Sequence, residues 1–118
     1  MKLSYFVAGT NDLQAAAKFY NALFEQDGPE QVGATDRMVF WMNEHFAFAV
    51  ATPFDEQPAT NGNGTMFGFD VGSEAEIKRL HQLTIDLGGS CDGKPGERGP
   101  RFSAYVRDLD NNKICFYK

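Results

Sequence analysis

The chain has few cysteines, no long apolar run and little positive charge, and each shortage excludes a class of protein. Its two cysteines, Cys91 and Cys115, and the lack of a signal peptide ahead of Lys2 predict reduced thiols and a cytoplasmic location. No run approaches the ~18 apolar residues of a membrane span, which argues against a membrane partner. A net charge of −5 argues against nucleic acid as a partner, because few side chains could neutralise phosphates.

The length and composition of the chain fit one compact α+β domain. Its 118 residues are 42% hydrophobic, enough to form a core without disulfides or a structural metal. The order strand, helix, hairpin strands occurs twice, in residues 2–51 and 65–117, as expected for a duplicated small module. We therefore expect module 1 (1–52), a linker (53–64) and module 2 (65–118), with a functional groove between the modules.

Both predicted helices begin with a capping pattern. Asn11–Gln14 opens a helix over about 12–24, and Ser73–Glu76 opens a second over about 74–87. In each pattern the first side chain can accept a hydrogen bond from a free backbone N–H, and the residue three positions later can reach back. Gly88 and Gly89 end the second helix.

Apolar and alternating runs predict the strands. These are residues 3–9, 38–42, 46–51, 65–71, 102–107 and 113–117. The strand over 46–51 has one bulky face of Phe46, Phe48 and Val50 and one small face of alanines. The glycine- and proline-rich segments 52–64 and 91–100 are predicted to be loops.

The end of the chain, Val106–Phe116, resembles the closing RDPDGNxIE hairpin of the vicinal-oxygen-chelate superfamily. That group includes glyoxalase I, bleomycin-resistance proteins, fosfomycin-resistance enzymes and extradiol dioxygenases. Asn11–Leu13, followed by Phe19 and Tyr20, resembles the family's first helix. The chain departs from the family by a leucine at 109 and an asparagine at 111, which tolerates positive φ. The resemblance implies two βαβββ modules whose sheets curl around a central cleft.

Metal-dependent members of that superfamily place ligands on the first and last strands of each module. Carried onto this chain, the ligand positions are Tyr5, about Ala49, Met66 and Cys115. Only the thiol among them could bind zinc, and a single thiolate does not make a site. A rearranged site using Asp70 would lack further ligands, and His45 and His81 lie in the wrong elements. The resemblance therefore implies a metal-free member without a cofactor, and it assigns no catalytic residue.

The side chains expected at the cleft suggest a binding pocket with aromatic walls. They are Tyr5, Trp41, Ala49, Met66, Arg101, Tyr105 and Cys115. Trp41 and Tyr105 occupy matching places in the two modules and could hold an aromatic or cationic ligand between them. The arginines at 98, 101 and 107 could instead fix an anionic group. Alternatively these side chains are core, and the cysteine is a small buried hydrophobe rather than a nucleophile.

Three functions are compatible with these patterns. The first is a metal-free protein that binds a small molecule in the cleft. The second is a glyoxalase I-like lyase or isomerase, or an enzyme related to the dioxygenases. The third is an interaction protein whose pocket is filled by its own side chains. Open sheet edges and the long linker also predict a homodimer.

Overall fold

A computed structural model describes residues 1–118 and divides them into two units, Met1–Thr60 and Asn61–Lys118. The first unit contains β1 (Tyr5–Gly9), α1 (Leu13–Leu23), β2 (Glu30–Ala34), β3 (Met38–Met42) and β4 (Ala47–Ala51). The second contains β5 (Met66–Asp70), α2 (Glu74–Asp86), β6 (Ser90–Arg98), β7 (Arg101–Arg107) and β8 (Lys113–Tyr117). The predicted α+β fold of two βαβββ modules is therefore confirmed. Neither helix has the length and apolarity that a membrane crossing requires.

The two units contain sheets of the same topology. The strand order is β1-β4-β3-β2 in the first unit and β5-β8-β7-β6 in the second. In each sheet the first and last strands pair in parallel and the other neighbours pair antiparallel. The helix of each unit packs on one face of its own sheet. We call the opposite face of each sheet its helix-free face.

Capping side chains begin both helices, although the first cap lies one residue later than predicted. Asp12 accepts a hydrogen bond from the Ala15 N–H at 3.0 Å, and Ser73 accepts one from the Glu76 N–H at 3.1 Å. Asn11 instead binds the backbone of Ala59, accepting from its N–H at 2.7 Å and donating to its carbonyl at 3.1 Å. This pair of bonds ties part of the predicted linker to the first unit.

Aromatic rings fill the space between α1 and its sheet. The Tyr20 ring centroid lies 4.8 Å from that of Phe48 and 5.9 Å from that of Trp41, and Phe24 contacts the same two rings. The second unit buries mainly aliphatic side chains. Ile77, Ala104, Val106 and Ile114 are its completely buried hydrophobic residues.

Two edge strands were not predicted, and the predicted loop over 91–100 is wrong. Residues 90–98 form β6, whose pairing with β7 shifts between Cys91 and Gly93 and again between Gly93 and Gly96. β2 has a similar shift between Gln31 and Gly33. Bulges break the alternation that identifies a strand, and edge strands tolerate glycine and proline, so both segments look like loops in the sequence.

The buried histidine of α2 predicts a pH dependence of stability. His81 is buried, and its Nε2 atom has no hydrogen-bond partner. Burial lowers the pKa of His81 below 6.5, and the charge of Lys94 lowers it further. The unfolded chain therefore binds a proton on His81 at a higher pH than the folded protein does. The free energy of unfolding should fall as the pH drops below about 6.5, and this term should vanish above that pH.

Urea unfolding at pH 7.5 and 5.5 measures this effect. The loss of stability between the two pH values should be smaller in His81→Leu than in the wild type. His45→Leu is the matched control, because the other histidine of the chain is largely exposed. An equal loss in His81→Leu and the wild type would show that the buried imidazole does not cause the pH dependence.

Candidate functional site

Four of the predicted site residues lie on helix-free faces, as the strand alternation indicates. In the first unit Tyr5 pairs with Ala47, and Ala49 lies between Val7 and Phe40. In the second unit Met66 pairs with Lys113, and Gly68 pairs with Cys115. Tyr5 and Met66 are 46% and 47% exposed, whereas Ala49 and Cys115 are buried. Contact of these residues with a ligand stays a prediction.

The expected position of Trp41 on the helix-free face is wrong. Trp41 pairs with Phe48, so both side chains point to α1, and Trp41 is only 1% exposed. Its Nε1 atom donates a hydrogen bond to the Asn21 Oδ1 atom at 2.9 Å. Phe40, which pairs with Ala49, takes the place on the helix-free face that was expected for the tryptophan. Trp41 is therefore a core residue, which does not fit the role of a ligand wall.

The length of the β3–β4 turn explains the error. Asn43 accepts hydrogen bonds from the N–H groups of His45 at 2.8 Å and Phe46 at 3.0 Å. This turn places Met42 opposite Ala47, with Phe46 in the turn rather than in the strand. A turn shorter by one residue would have put the tryptophan on the helix-free face, because strand side chains alternate. The asparagine side chain was the available sequence signal for the longer turn.

The helix-free face of the first sheet is apolar on three of its four strands. β1, β3 and β4 contribute Tyr5, Val7, Gly9, Met38, Phe40, Met42, Ala47, Ala49 and Ala51 to it. In the second sheet Tyr105 pairs with Cys115, just as Phe40 pairs with Ala49. The counterpart of Tyr105 in the first unit is therefore Phe40, and the matching of Trp41 with Tyr105 is wrong.

The helix-free face of the second sheet is aromatic and charged. Arg98 Cζ lies 5.0 Å from the ring centroid of Tyr105, and Lys113 Nζ lies 5.1 Å from the same centroid. Arg101 Cζ lies 5.2 Å from the ring centroid of Tyr117. The face of an aromatic ring attracts cations, so these three contacts hold the charged groups against the sheet. A cationic ligand would meet like charge here, and an anionic ligand would meet attraction.

At the end of this face away from the β6–β7 hairpin, the Asp92 carboxylate of β6 binds side chains of β7 and β8. Asp92 Oδ2 accepts a hydrogen bond from Arg107 Nε at 3.0 Å and lies 3.2 Å from Lys113 Nζ. The hydrogen bond from Lys113 lowers the pKa of Asp92, and Arg107 lowers it further. Arg107 also donates to the Asn111 carbonyl at 3.1 Å. Arg107 and Lys113 therefore already have an anionic partner.

Cys115 lies opposite Tyr105 in the register of β7 and β8 and is a neutral thiol. It is 7% exposed, and both it and Cys91 are free cysteines. Burial raises the pKa of the Cys115 thiol, and this effect outweighs the hydrogen bond with Tyr105 and the charges of Arg98 and Lys113. Because the thiolate is the nucleophilic form, this supports the interpretation of Cys115 as a small buried hydrophobe.

The cytoplasmic location of the protein stays a prediction.

The residues at the implied metal positions do not fit a metal site. They offer a phenol, a methyl group, a thioether and a neutral thiol, whereas catalytic sites use three ligands among histidine, carboxylate and thiolate groups. No group of three or more histidine, cysteine, aspartate and glutamate side chains is placed to hold an ion. Asp70, which shares a strand face with Met66, accepts a hydrogen bond from the Gly72 N–H at 3.1 Å.

Comparisons with known proteins give close matches only among solved structures, since no family model and no curated protein matches the chain. A glyoxalase/bleomycin resistance protein from Albidiferax ferrireducens T118 is 36% identical, with a TM-score of 0.91 over 98% of this chain and 96% of that one. A glyoxalase-related enzyme from Fulvimarina pelagi is 19% identical, with a TM-score of 0.81 over 99% and 87%. A lactoylglutathione lyase from Agrobacterium tumefaciens is 21% identical, with a TM-score of 0.73 over 98% and 91%. The last two likenesses concern the fold alone.

Proposed function

Since this chain belongs to the glyoxalase/bleomycin resistance protein family of the vicinal-oxygen-chelate superfamily, we propose that it binds a small molecule without a metal and without turnover. The binding surface is the helix-free face of the second sheet. The observation that carries the proposal is the group of Tyr105, Arg98 and Lys113 on that face. An aromatic surface with a few fixed polar groups is typical of ligand sites.

Each predicted site residue of the second unit has a role in this proposal. Tyr105 supplies a flat aromatic surface, and Arg101 orients a polar group of the ligand. Met66 provides an exposed apolar side chain at the edge strand, and Cys115 lies beneath as an uncharged floor.

The absence of turnover follows from the residue types on this face. Acid–base or nucleophilic catalysis requires a group whose pKa or neighbours activate it. Burial keeps the Cys115 thiol neutral, and the guanidinium groups of Arg98 and Arg101 stay charged at any relevant pH. No histidine lies on either helix-free face, since His45 is in a turn and His81 is on α2.

A fragment screen by saturation-transfer NMR tests the proposed surface. We expect Tyr105→Ala to weaken the binding of the best compound by about 1–3 kcal/mol, because the ring supplies the main contact area. Phe54→Ala is the matched control, since Phe54 is an exposed aromatic residue of the first unit. Equal affinity of folded Tyr105→Ala and wild-type protein would contradict the proposal. Fluorescence of Trp41 is unsuitable as a contact reporter, because its ring is buried under α1.

The alternative function is that of a glyoxalase I-like lyase or isomerase, or of a dioxygenase-related enzyme. One solved relative of the same fold is a lactoylglutathione lyase. The test is turnover of the hemithioacetal of methylglyoxal and glutathione, with and without added nickel or zinc. Turnover that Tyr105→Ala abolishes would replace the binding proposal with the enzyme. A screen without any bound compound would instead favour the interaction protein.

We also propose that the protein is a homodimer. Each sheet has two edge strands, β1 and β2 in the first and β5 and β6 in the second. Edge strands offer unpaired N–H and C=O groups, which natural proteins usually cover. Light scattering should give about twice the chain mass of 13.1 kDa. A mass equal to that of one chain across micromolar concentrations would contradict the proposal.

A further inference from the structure

We propose that Arg98 and Arg101 form a binding site for an oxyanion, a carboxylate or a phosphate group, at the β6–β7 hairpin. The inference rests on the proposed function and deepens it, because it names the chemical class of the ligand as a small organic anion. It also assigns to Arg98 and Arg101 the role of specificity-determining residues.

The first observation is that two arginines face each other across the hairpin. Arg98 and Arg101 are direct partners in the antiparallel register of β6 and β7. Like charges directly opposite each other destabilise a sheet. Neither arginine forms an ion pair with a carboxylate of the chain. A bound anion between the two guanidinium groups would convert this repulsion into attraction.

The second observation is that both guanidinium groups are held in place before any ligand binds. Arg98 donates hydrogen bonds to the carbonyls of Ser103 and Lys94, the latter at 2.7 Å, and stacks on Tyr105. Arg101 lies over the ring of Tyr117. A guanidinium has five N–H donors in a rigid fork that matches an oxyanion, so donors remain for a ligand. Ordering these side chains in advance reduces the entropy that binding costs.

A glycine makes room for this arrangement. Gly93 pairs with Tyr105 on β6. A Cβ atom on Gly93 would lie 2.7 Å from Tyr105 Cδ2 and 3.2 Å from Arg98 Nη2. The first distance is shorter than carbon atoms tolerate, so a larger residue would push the ring or the guanidinium group away. The backbone of β6 thus accommodates the stacked pair.

The third observation is the local balance of charge. The chain carries a net charge of −5, yet the helix-free face of the second sheet presents four cations. Asp92 is the shared ion-pair partner of the two at one end, Arg107 and Lys113. The two at the hairpin, Arg98 and Arg101, are left for an external anion. An excess of cations at one place on an acidic protein attracts anionic ligands selectively.

Titrations with four related compounds test the inference. Benzoate and phenyl phosphate carry an oxyanion on a flat ring, benzyl alcohol is neutral, and benzylamine is a cation. We expect at least one anion to bind, and inorganic phosphate alone to bind more weakly than phenyl phosphate. Comparison of benzoate with phenyl phosphate tells which oxyanion is preferred. Affinity should fall as salt is added, because the interaction is between charges.

Variants of the exposed arginine locate the anion. Arg101→Gln should weaken anion binding by about tenfold or more, and Arg101→Lys should weaken it less, since it keeps the charge but loses the fork. Lys18→Gln is the matched control, because it removes one positive charge from the exposed face of α1 and should leave affinity unchanged. Without ligand, Arg101→Gln should keep or raise the melting temperature, which separates loss of a binding contact from loss of folding.

The outcomes separate the two proposals. Binding of benzyl alcohol or benzylamine that depends on Tyr105, without binding of either anion, would overturn the oxyanion site and leave the proposed function standing. Equal anion affinity of Arg101→Gln and the wild type would also overturn it. Absence of binding by all four compounds would overturn the oxyanion site, and only a fragment screen without any bound compound would overturn the proposed function as well.

Discussion

Replacement of Trp41 by alanine should lower the free energy of unfolding by about 3–5 kcal/mol, the usual cost of removing a buried tryptophan. The Trp41 ring lies 5.9 Å from Tyr20, 5.9 Å from Phe24 and 6.0 Å from Phe48, measured between centroids. The substitution would leave a cavity among these rings, which come from α1 and β4. It would also remove the hydrogen bond that Asn21 accepts from the indole.

Urea unfolding followed by circular dichroism measures the loss. Met42→Ala is the matched control, because Met42 is the next residue of β3, points to the other face and is 50% exposed. It should cost about 1 kcal/mol or less, as expected for a partly exposed side chain. Trp41→Phe should fall between the two, since it keeps a ring but loses the hydrogen bond. A cost of Trp41→Ala equal to that of Met42→Ala would contradict the assignment of Trp41 to the core.

The case of Trp41 shows which part of the site could not be predicted from sequence. A strand's alternation tells which residues share a face but not which face turns inward when both contain apolar side chains. In β3 either of two apolar sets could face the helix. One set is Val39 and Trp41, and the other is Met38, Phe40 and Met42. Only the register with β4 decides between them, and the register depends on the length of one turn.

The second sheet was easier to predict, because its two faces differ in chemistry. In β5, Phe67 and Phe69 alternate with Met66, Gly68 and Asp70, and the phenylalanines are the less exposed set. β7 and β8 show the same contrast between an apolar side and a more polar side. Arg101, Tyr105 and Cys115 accordingly lie on one face of this sheet, and their contact with a ligand stays a prediction.

The pairing of Arg98 with Arg101 in the β6–β7 hairpin is the part of the candidate site that could not be predicted from the sequence. Residues 91–100 contain three glycines, the last of them in the turn, and two prolines, a composition typical of a loop. Because the segment is a strand, Arg98 lies directly opposite Arg101. A loop would have left the position of Arg98 open. The proposed oxyanion site thus depends on a strand that carries no period-two signal.

The last prediction concerns the turn between β7 and β8, where Asp108→Ala should cost about 2–4 kcal/mol of unfolding free energy. Asp108 is buried and accepts three hydrogen bonds, each at 2.9 Å. The donors are the backbone N–H groups of Asp110 and Asn112 and the side-chain amide of Asn112. Alanine would leave these groups without their acceptor, in a place where water reaches poorly. Asn111, which follows, has φ +65°, a conformation that asparagine tolerates.

Chemical unfolding of a matched pair of aspartate variants tests this role. Asp36 is exposed in the turn between β2 and β3, so Asp36→Ala should change stability by about 0.5 kcal/mol or less. Asp108→Asn should fall between, because its amide keeps one acceptor for the backbone but faces the Asn112 amide with a second donor. The aspartate and asparagine of the closing motif would then serve to fix the turn that aligns β7 with β8. Equal stability of Asp108→Ala and Asp36→Ala would show that two backbone hydrogen bonds suffice to hold the turn, one from the Asp108 N–H to the Asn112 carbonyl and one from the Asn111 N–H to the Asp108 carbonyl.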